Sequence, residues 1–223
     1  MTLKEKLLKF NGSNDEDELL KMFDELAPSF LYGGFIKVRD DYQVFIRTVE
    51  FYFHSEKTYG IHDPIVYHRN IRNREGRILH EQPYFPTMTL HAHNSGFDIT
   101  FENKDEKYRA SALIRTYEVK DKQGNYLIWR KDEESGNYMF QSSDIYGFNT
   151  QSTYLYTLLN GFSLETANDI QWIEEPRQQT LAIEPRPRKN VFKSGSEWKY
   201  IPVKINRCER MWSFTRKDEI VRL

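Results

Sequence analysis

The period of the apolar positions changes near residue 30. Before it the spacing is helical, and residues 2–10 predict a short amphipathic helix. A second helix, capped by Ser13 or Asn14, is expected to run to about Leu26 with an apolar stripe of Leu19, Leu20, Phe23 and Leu26. Its acids Asp15, Glu16, Asp17 and Glu18 fall in the first turn, where the helix dipole favours them, and Ala27-Pro28 is expected to end it. From Phe30 onward the texture is that of strands. FIKVRD is followed by YQVFIRTVEFYFH, where alternation puts Val44, Ile46, Thr48, Glu50 and Tyr52 on one face. The other face would carry Phe45, Arg47, Val49, Phe51 and Phe53. Residues 55–80 show no clear period and predict a long loop rich in His, Arg and Asn. TMTLHAHN, FDITFEN, ASALIRTYEVKD and YLIWRKD predict further strands, the last two joined by a turn at Lys122–Asn125. Residues 131–149 predict loop and 150–170 helix, and the prolines beyond divide the rest into short strands and loops.

The pattern implies one α+β domain over 1–223: a helical N-terminal arm (1–27), then a body (28–223) built on a curved, mostly antiparallel sheet flanked by helices. The length of 223 residues allows one large domain or two small ones. Aromatics at 15% argue for a packed core and against disorder. No apolar run approaches the ~20 residues that span a bilayer, and the N-terminal stretch lacks the apolar segment of a signal peptide. The single cysteine, Cys208, excludes an internal disulfide and a multi-cysteine zinc site, so a cytoplasmic location is expected. A monomer is expected as well.

The net charge of −1 conceals an asymmetry. Residues 1–30 are acidic and 177–223 basic, with Arg69, Arg72, Arg74 and Arg77 between them. Such a chain can present a basic face to phosphates, or its basic loops can simply be solvated. All six histidines lie between His54 and His93. His91-x-His93 on one strand face could bind a metal with Glu50 or His54 as a third ligand, or the histidines could be hydrogen-bonded without metal. Glu50 stands in the middle of an apolar strand, where a carboxylate is costly unless paired or functional. Arg115 stands likewise in SALIRTYEV, close to Glu118, so a Glu50–Arg115 ion pair could merely tie strands together. Tyr52, two residues from Glu50, projects to the same side and could stack on a planar substrate.

The order of LAPSFLYGGFIKVRDDYQVFIRTVEFYFH, HDPIVYHRN, MTLHAHNSGFDITF and SALIRTYE resembles the alkyladenine (3-methyladenine) DNA glycosylases, and the likeness extends over about residues 24–217. The resemblance implies the barrel-like fold shared by these glycosylases and formyltransferase C-terminal domains. It implies excision of an alkylated or deaminated purine from DNA by base flipping, without metal or cofactor. Glu50 would be the general base, Arg115 would help hold the attacking water, and Tyr52 and His68 would wall the base pocket. His91 and His93, where the family carries tyrosines, and Phe97 would complete the substrate contacts. Arg69, Arg72, Arg74, Arg77 and the basic tail would meet the DNA backbone. The place of the family's wedge tyrosine, just before the glycine matched by Gly96, holds Ser95, with Phe97 or Asn94 nearest to replace it. The family's asparagine at the end of that strand has no evident match, Asn103 being the nearest. These departures leave three readings: a glycosylase-like hydrolase, a non-catalytic relative that binds nucleic acid or protein, and a metal-dependent hydrolase built on His91 and His93.

Overall fold

The computed structural model describes residues 1–63, 65–73, 75–158, 170–177, 182–188 and 210–217. Helix α1 (Leu3–Leu8) opens with a capping box in which Thr2 and Glu5 bond each other's backbone N–H groups. Helix α2 (Glu16–Tyr32) is capped by Asp15, whose Oδ1 accepts the N–H groups of Asp17 and Glu18 at 2.9 Å. Ser13 instead accepts from the Asp15 N–H, so the cap lies one residue beyond Asn14, the later of the two expected positions. Pro28 does not end this helix. The lost hydrogen bond is outweighed by burial of Ala27, Phe30, Leu31 and Tyr32, which the last turns carry into the core.

The expected antiparallel sheet is present as a curled half-barrel. Its strands run in the order β10 (Ile170–Glu174), β1 (Gly34–Val38), β2 (Tyr42–Ser55), β7 (Tyr108–Asp121), β6 (Gly96–Thr100) and β5 (Leu90–His93). Strand β12 (Ser213–Arg216) pairs with β2 beyond the end of β1 and carries β11 (Ile183–Arg186) on its far side. Strand β8 (Tyr126–Lys131) pairs antiparallel with the end of β7, Lys120 facing Tyr126, and with β9 (Tyr138–Ser143), where loop was expected. The expected loop 55–80 also holds a two-stranded hairpin, β3 (Ile71–Arg72) and β4 (Ile78–His80). Of the helix expected over 150–170, the described part is a 3-10 turn (Ser152–Tyr154) and one helical turn, α3 (Leu155–Leu158); residues 159–169 lie outside the described residues.

The long β2–β7 ladder is interrupted twice. Ile46 pairs with Tyr117 and Thr48 with Thr116, so Arg47 is an extra residue on β2; Val49 then pairs with Ile114, so Arg115 is an extra residue on β7. Each bulge inverts the alternation that follows it. Val44 and Ile46 therefore share the core with Val49, Phe51 and Phe53, and not, as simple alternation predicts, the face of Glu50 and Tyr52. Tyr117 and Val119 likewise join Ala110, Ala112 and Ile114. The N-terminal arm belongs to this core rather than standing apart. Phe23 stacks on Phe51 at 4.6 Å, Phe10 meets Phe101 edge-on at 5.1 Å, and Leu3 and Leu7 are buried. No helix among the described residues is long and apolar enough to cross a membrane.

Candidate functional site

The face of the sheet opposite the helices is polar and almost wholly buried. One row of the ladder crosses four strands through Glu50, Leu113, Asp98 and His91. The next carries Tyr52, Ser111 and Thr100, and beyond it His54 faces Arg109. Buried charge of this density is expensive unless internally paired, and here the pairs are evident.

Glu50 has no exposed surface. Its Oε2 accepts from Arg115 Nε at 2.9 Å and from the Tyr52 hydroxyl at 3.0 Å. Arg115 follows Ser111 and Leu113 on the Glu50 face and stands at the β7 bulge, while Arg47, at the β2 bulge, donates to Glu118 at 3.0 Å. Burial, and after it the Glu50 charge, raises the Tyr52 phenol well above its usual range, so it stays a neutral donor. The Tyr52 ring packs with Val66 and Leu113, with Ile65 against them, and the Arg188 guanidinium lies 4.7 Å from its centroid. The expected open stacking wall is therefore covered, Tyr52 being 9% exposed. Arg188 donates to Asp63 Oδ2 at 2.6 Å. Neither Arg188 nor Asp63 was singled out from sequence; the lone acid of HDPIVYHRN and the second arginine of EPRPRK were the available signals.

His68, His91 and His93 form a second cluster, separated from Glu50 by Leu113 in the ladder row. His93 Nε2 lies 3.2 Å from Asp98 Oδ1, and the Ser111 hydroxyl donates to Asp98 Oδ2 at 3.0 Å. Burial opposes the Asp98 charge, but His93, His68 and Ser111 outweigh it and hold the carboxyl below its usual range. His68 Nδ1 contacts Glu102, and the His68 and His91 rings meet edge-on at 5.4 Å. Tyr67 stacks on His93 at 4.4 Å and bonds the Ser95 hydroxyl at 2.8 Å.

Phe97 does not reach this face. Alternation on β6 gives Asp98 and Thr100 to the polar side, which leaves Phe97 fully buried in the core against Tyr156. Two of the four arginines expected on DNA bond within the protein. Arg72 donates to the Glu56 carbonyl and carboxylate at 3.0 and 3.3 Å, and Arg69 is half-buried with a bond to the Asn70 carbonyl. Arg77 is exposed, and Arg74 lies outside the described residues. Three of the described tail arginines also turn inward, Arg188 to Asp63, Arg210 to Glu16 and Arg216 to Glu118, whereas Arg186 stays exposed beside Glu184.

Among the described residues, no group of three or more His, Cys, Asp or Glu side chains could hold a metal ion. Glu50 and His54, the expected third ligands, stand on β2, three strands from the histidine pair on β5. No family model matches the chain, and no curated protein or solved structure does so either.

Proposed function

We propose that the polar face is the site of a glycosylase-like hydrolase that releases a damaged purine from DNA. A nucleotide would be flipped out of the stack and a water would attack C1′ of its sugar. Glu50 takes the water's proton as the C1′–N bond breaks, and the electron pair leaves with the base. Arg115 balances the buried charge and orients the carboxylate, and Tyr52 fixes its oxygen from the other side. The observation that carries this reading is the Glu50–Arg115 pair itself. Glu50 is fully buried and is held from two sides, by Arg115, which stands at the β7 bulge two residues beyond the Glu50 ladder partner Leu113, and by the Tyr52 hydroxyl. Bulges are over-represented next to active sites. The enclosure of Glu50 sets a requirement: Ile65, Val66 and Arg188 must draw back to admit a nucleotide.

The same enclosure favours a second reading, in which the pair only fastens β2 to β7 and the chain binds nucleic acid or protein without catalysis. Oligonucleotides containing hypoxanthine, ethenoadenine or 3-methyladenine separate the two. The hydrolase releases base, and Glu50→Gln, which keeps the size of the side chain and an oxygen for Arg115 and Tyr52, lowers the rate by about 10²–10⁴ with little change in melting temperature. A variant that releases base at the full rate, or a wild-type protein that releases none, supports the non-catalytic reading.

A further inference from the structure

The β8–β9 hairpin closes one side of the sheet, and its two edges are treated differently. Along the β8 edge the Asn149 side chain serves two backbone groups. Its Oδ1 accepts the Trp129 N–H at 2.8 Å and its Nδ2 donates to the Leu127 carbonyl at 2.9 Å. The outer edge is β9, which pairs with β8 alone among the described residues. The bond from the Asp132 N–H to the Asn137 carbonyl fixes the alternation along this ladder. Met139, Gln141 and Ser143 therefore exchange hydrogen bonds with β8, and the backbone groups of Tyr138, Phe140 and Ser142 point outward. Of these, the Ser142 carbonyl has a long contact to Arg130 Nη2, at 3.4 Å. Native edges are blunted by charge, proline or a bulge. Strand β11 carries Glu184, Pro185 and Arg186, and β10 ends on Glu174, whose carboxylate takes the Leu3 N–H. The β9 sequence YMFQSS has no charge and no proline, and its ladder to β8 runs without a register shift. Tyr138 is 63% and Met139 41% exposed, and exposed Ile145, Tyr146 and Phe148 follow them.

We infer that β9 pairs antiparallel with β9 of a second copy of this chain, continuing the sheet across a two-fold axis at Phe140, in place of the monomer expected from the sequence. Such an axis sets outward-facing residues against outward-facing residues. Phe140 meets its own counterpart, Tyr138 meets Ser142 of the second copy, and Met139 meets Gln141. Each outward N–H and carbonyl then has a partner, and the Phe140 rings adjoin on the face where each already packs edge-on with Trp129 at 5.1 Å. Charge is the reason for choosing a second copy as the occupant. No charged residue lies within the paired stretch, and Asp144, which follows it, falls opposite Gly136 and not opposite Glu133 or Glu134. A two-fold contact uses one such edge in each chain and then closes, so the product is a dimer and not a fibre. Nothing in this pairing involves Glu50, so the inference stands apart from the hydrolase reading.

Sedimentation equilibrium on the full chain, from about 1 μM to about 1 mM, tests the inference: the mass is expected to rise toward that of two chains. Ser142→Pro removes an outward donor at an edge position where proline is tolerated. It is expected to weaken the dimer about tenfold or more with the circular dichroism spectrum unchanged. The register is read separately, by oxidising Tyr138→Cys and Ser142→Cys chains that each also carry Cys208→Ser. Positions 138 and 142 lie about 13 Å apart along one strand, too far for a disulfide within a chain or between two chains with the same substitution. The mixed chains are expected to cross-link and either chain alone is not, and this result decides the matter if the proline variant fails to fold. A wild type that stays monomeric throughout, a dimer equally tight with Ser142→Pro, or cross-linking as strong in the unmixed chains overturns the inference.

Discussion

Arg109 has no exposed surface, and its guanidinium is used in five directions: to Glu56, Glu102, Asn70 and the carbonyls of Gln82 and Pro83. Tyr84 lies over it at 3.6 Å. A planar fork of donors can staple a loop to a sheet in this way, and no other side chain offers one. The neighbouring His54 is held neutral. Its Nδ1 lies 3.1 Å from the Asp63 backbone nitrogen and 3.2 Å from the Asp63 carbonyl oxygen, and its Nε2 lies 3.9 Å from Glu56 Oε2. Burial lowers its pKa to about 4. The unfolded chain takes up this proton near pH 6.5, so the neutral ring contributes fully above that pH. The contribution falls as pH drops from about 6.5 to about 4 and is flat below. Glu56 changes in the same direction. Burial disfavours its charge, but the Asn70 N–H, His54, Arg109 and Arg72 together hold its carboxyl low, and that stability too is lost in acid. The urea midpoint is therefore expected to be lower at pH 5 than at pH 7.5, and His54→Gln to flatten the difference. An identical pH dependence in the variant would remove His54 from this account.

At the level of elements, the long strands β2 and β7 were legible because β-branched and aromatic residues fill them end to end. Their faces were not. Strict alternation assigned Val44 and Ile46 to the side of Glu50, and only the bulge at Arg47 restores them to the core, as the bulge at Arg115 does for Tyr117 and Val119. The signal was present as an arginine inside each apolar run, but a charge in a strand reads equally well as an ion pair. Helix α2 outran Pro28 because tertiary burial overrode a local rule, and β9 was missed because YMFQSS buries little and is held by the β8 ladder. Glu50, Tyr52 and Arg115 were brought together as expected, whereas Phe97 fell on the wrong side of a strand whose polar parity, Asp98 and Thr100, was readable. The β5–β6 hairpin that carries the histidines turns on Gly96, with φ +134°. A Cβ there would collide with Ser152, whose hydroxyl accepts the Phe97 N–H at 2.9 Å. Gly96→Ala is expected to cost about 1–3 kcal/mol in urea unfolding; a midpoint equal to wild type would show that the turn yields easily.

Over the whole molecule, the charge asymmetry in the sequence proved to be partly internal. The acidic beginning and the basic tail meet in the Glu16–Arg210 pair, at 2.9 Å. The Leu3 N–H donates to Glu174 at 2.7 Å, and Trp212 and Phe214 lie in the core built by α2 and β2. Pairing between segments this distant has no local signature in a sequence, which is why the tail read as a phosphate-binding surface. Removal of residues 210–223 is expected to abolish cooperative thermal unfolding, since it uncovers Phe51 and leaves Glu16 and Asp63 without Arg210. A sharp transition in the shortened chain would contradict this. The insertion of β12 beside Thr48–Glu50 also bears on the order of events at the ribosome. At about 5–20 residues per second, the middle of β2 waits roughly 10–30 s for its last neighbour to be translated. During that time an aromatic-rich edge stands open in the nascent chain, a natural target for a holdase chaperone, and Glu50 gains its last strand neighbour only after almost all of the described chain has been made.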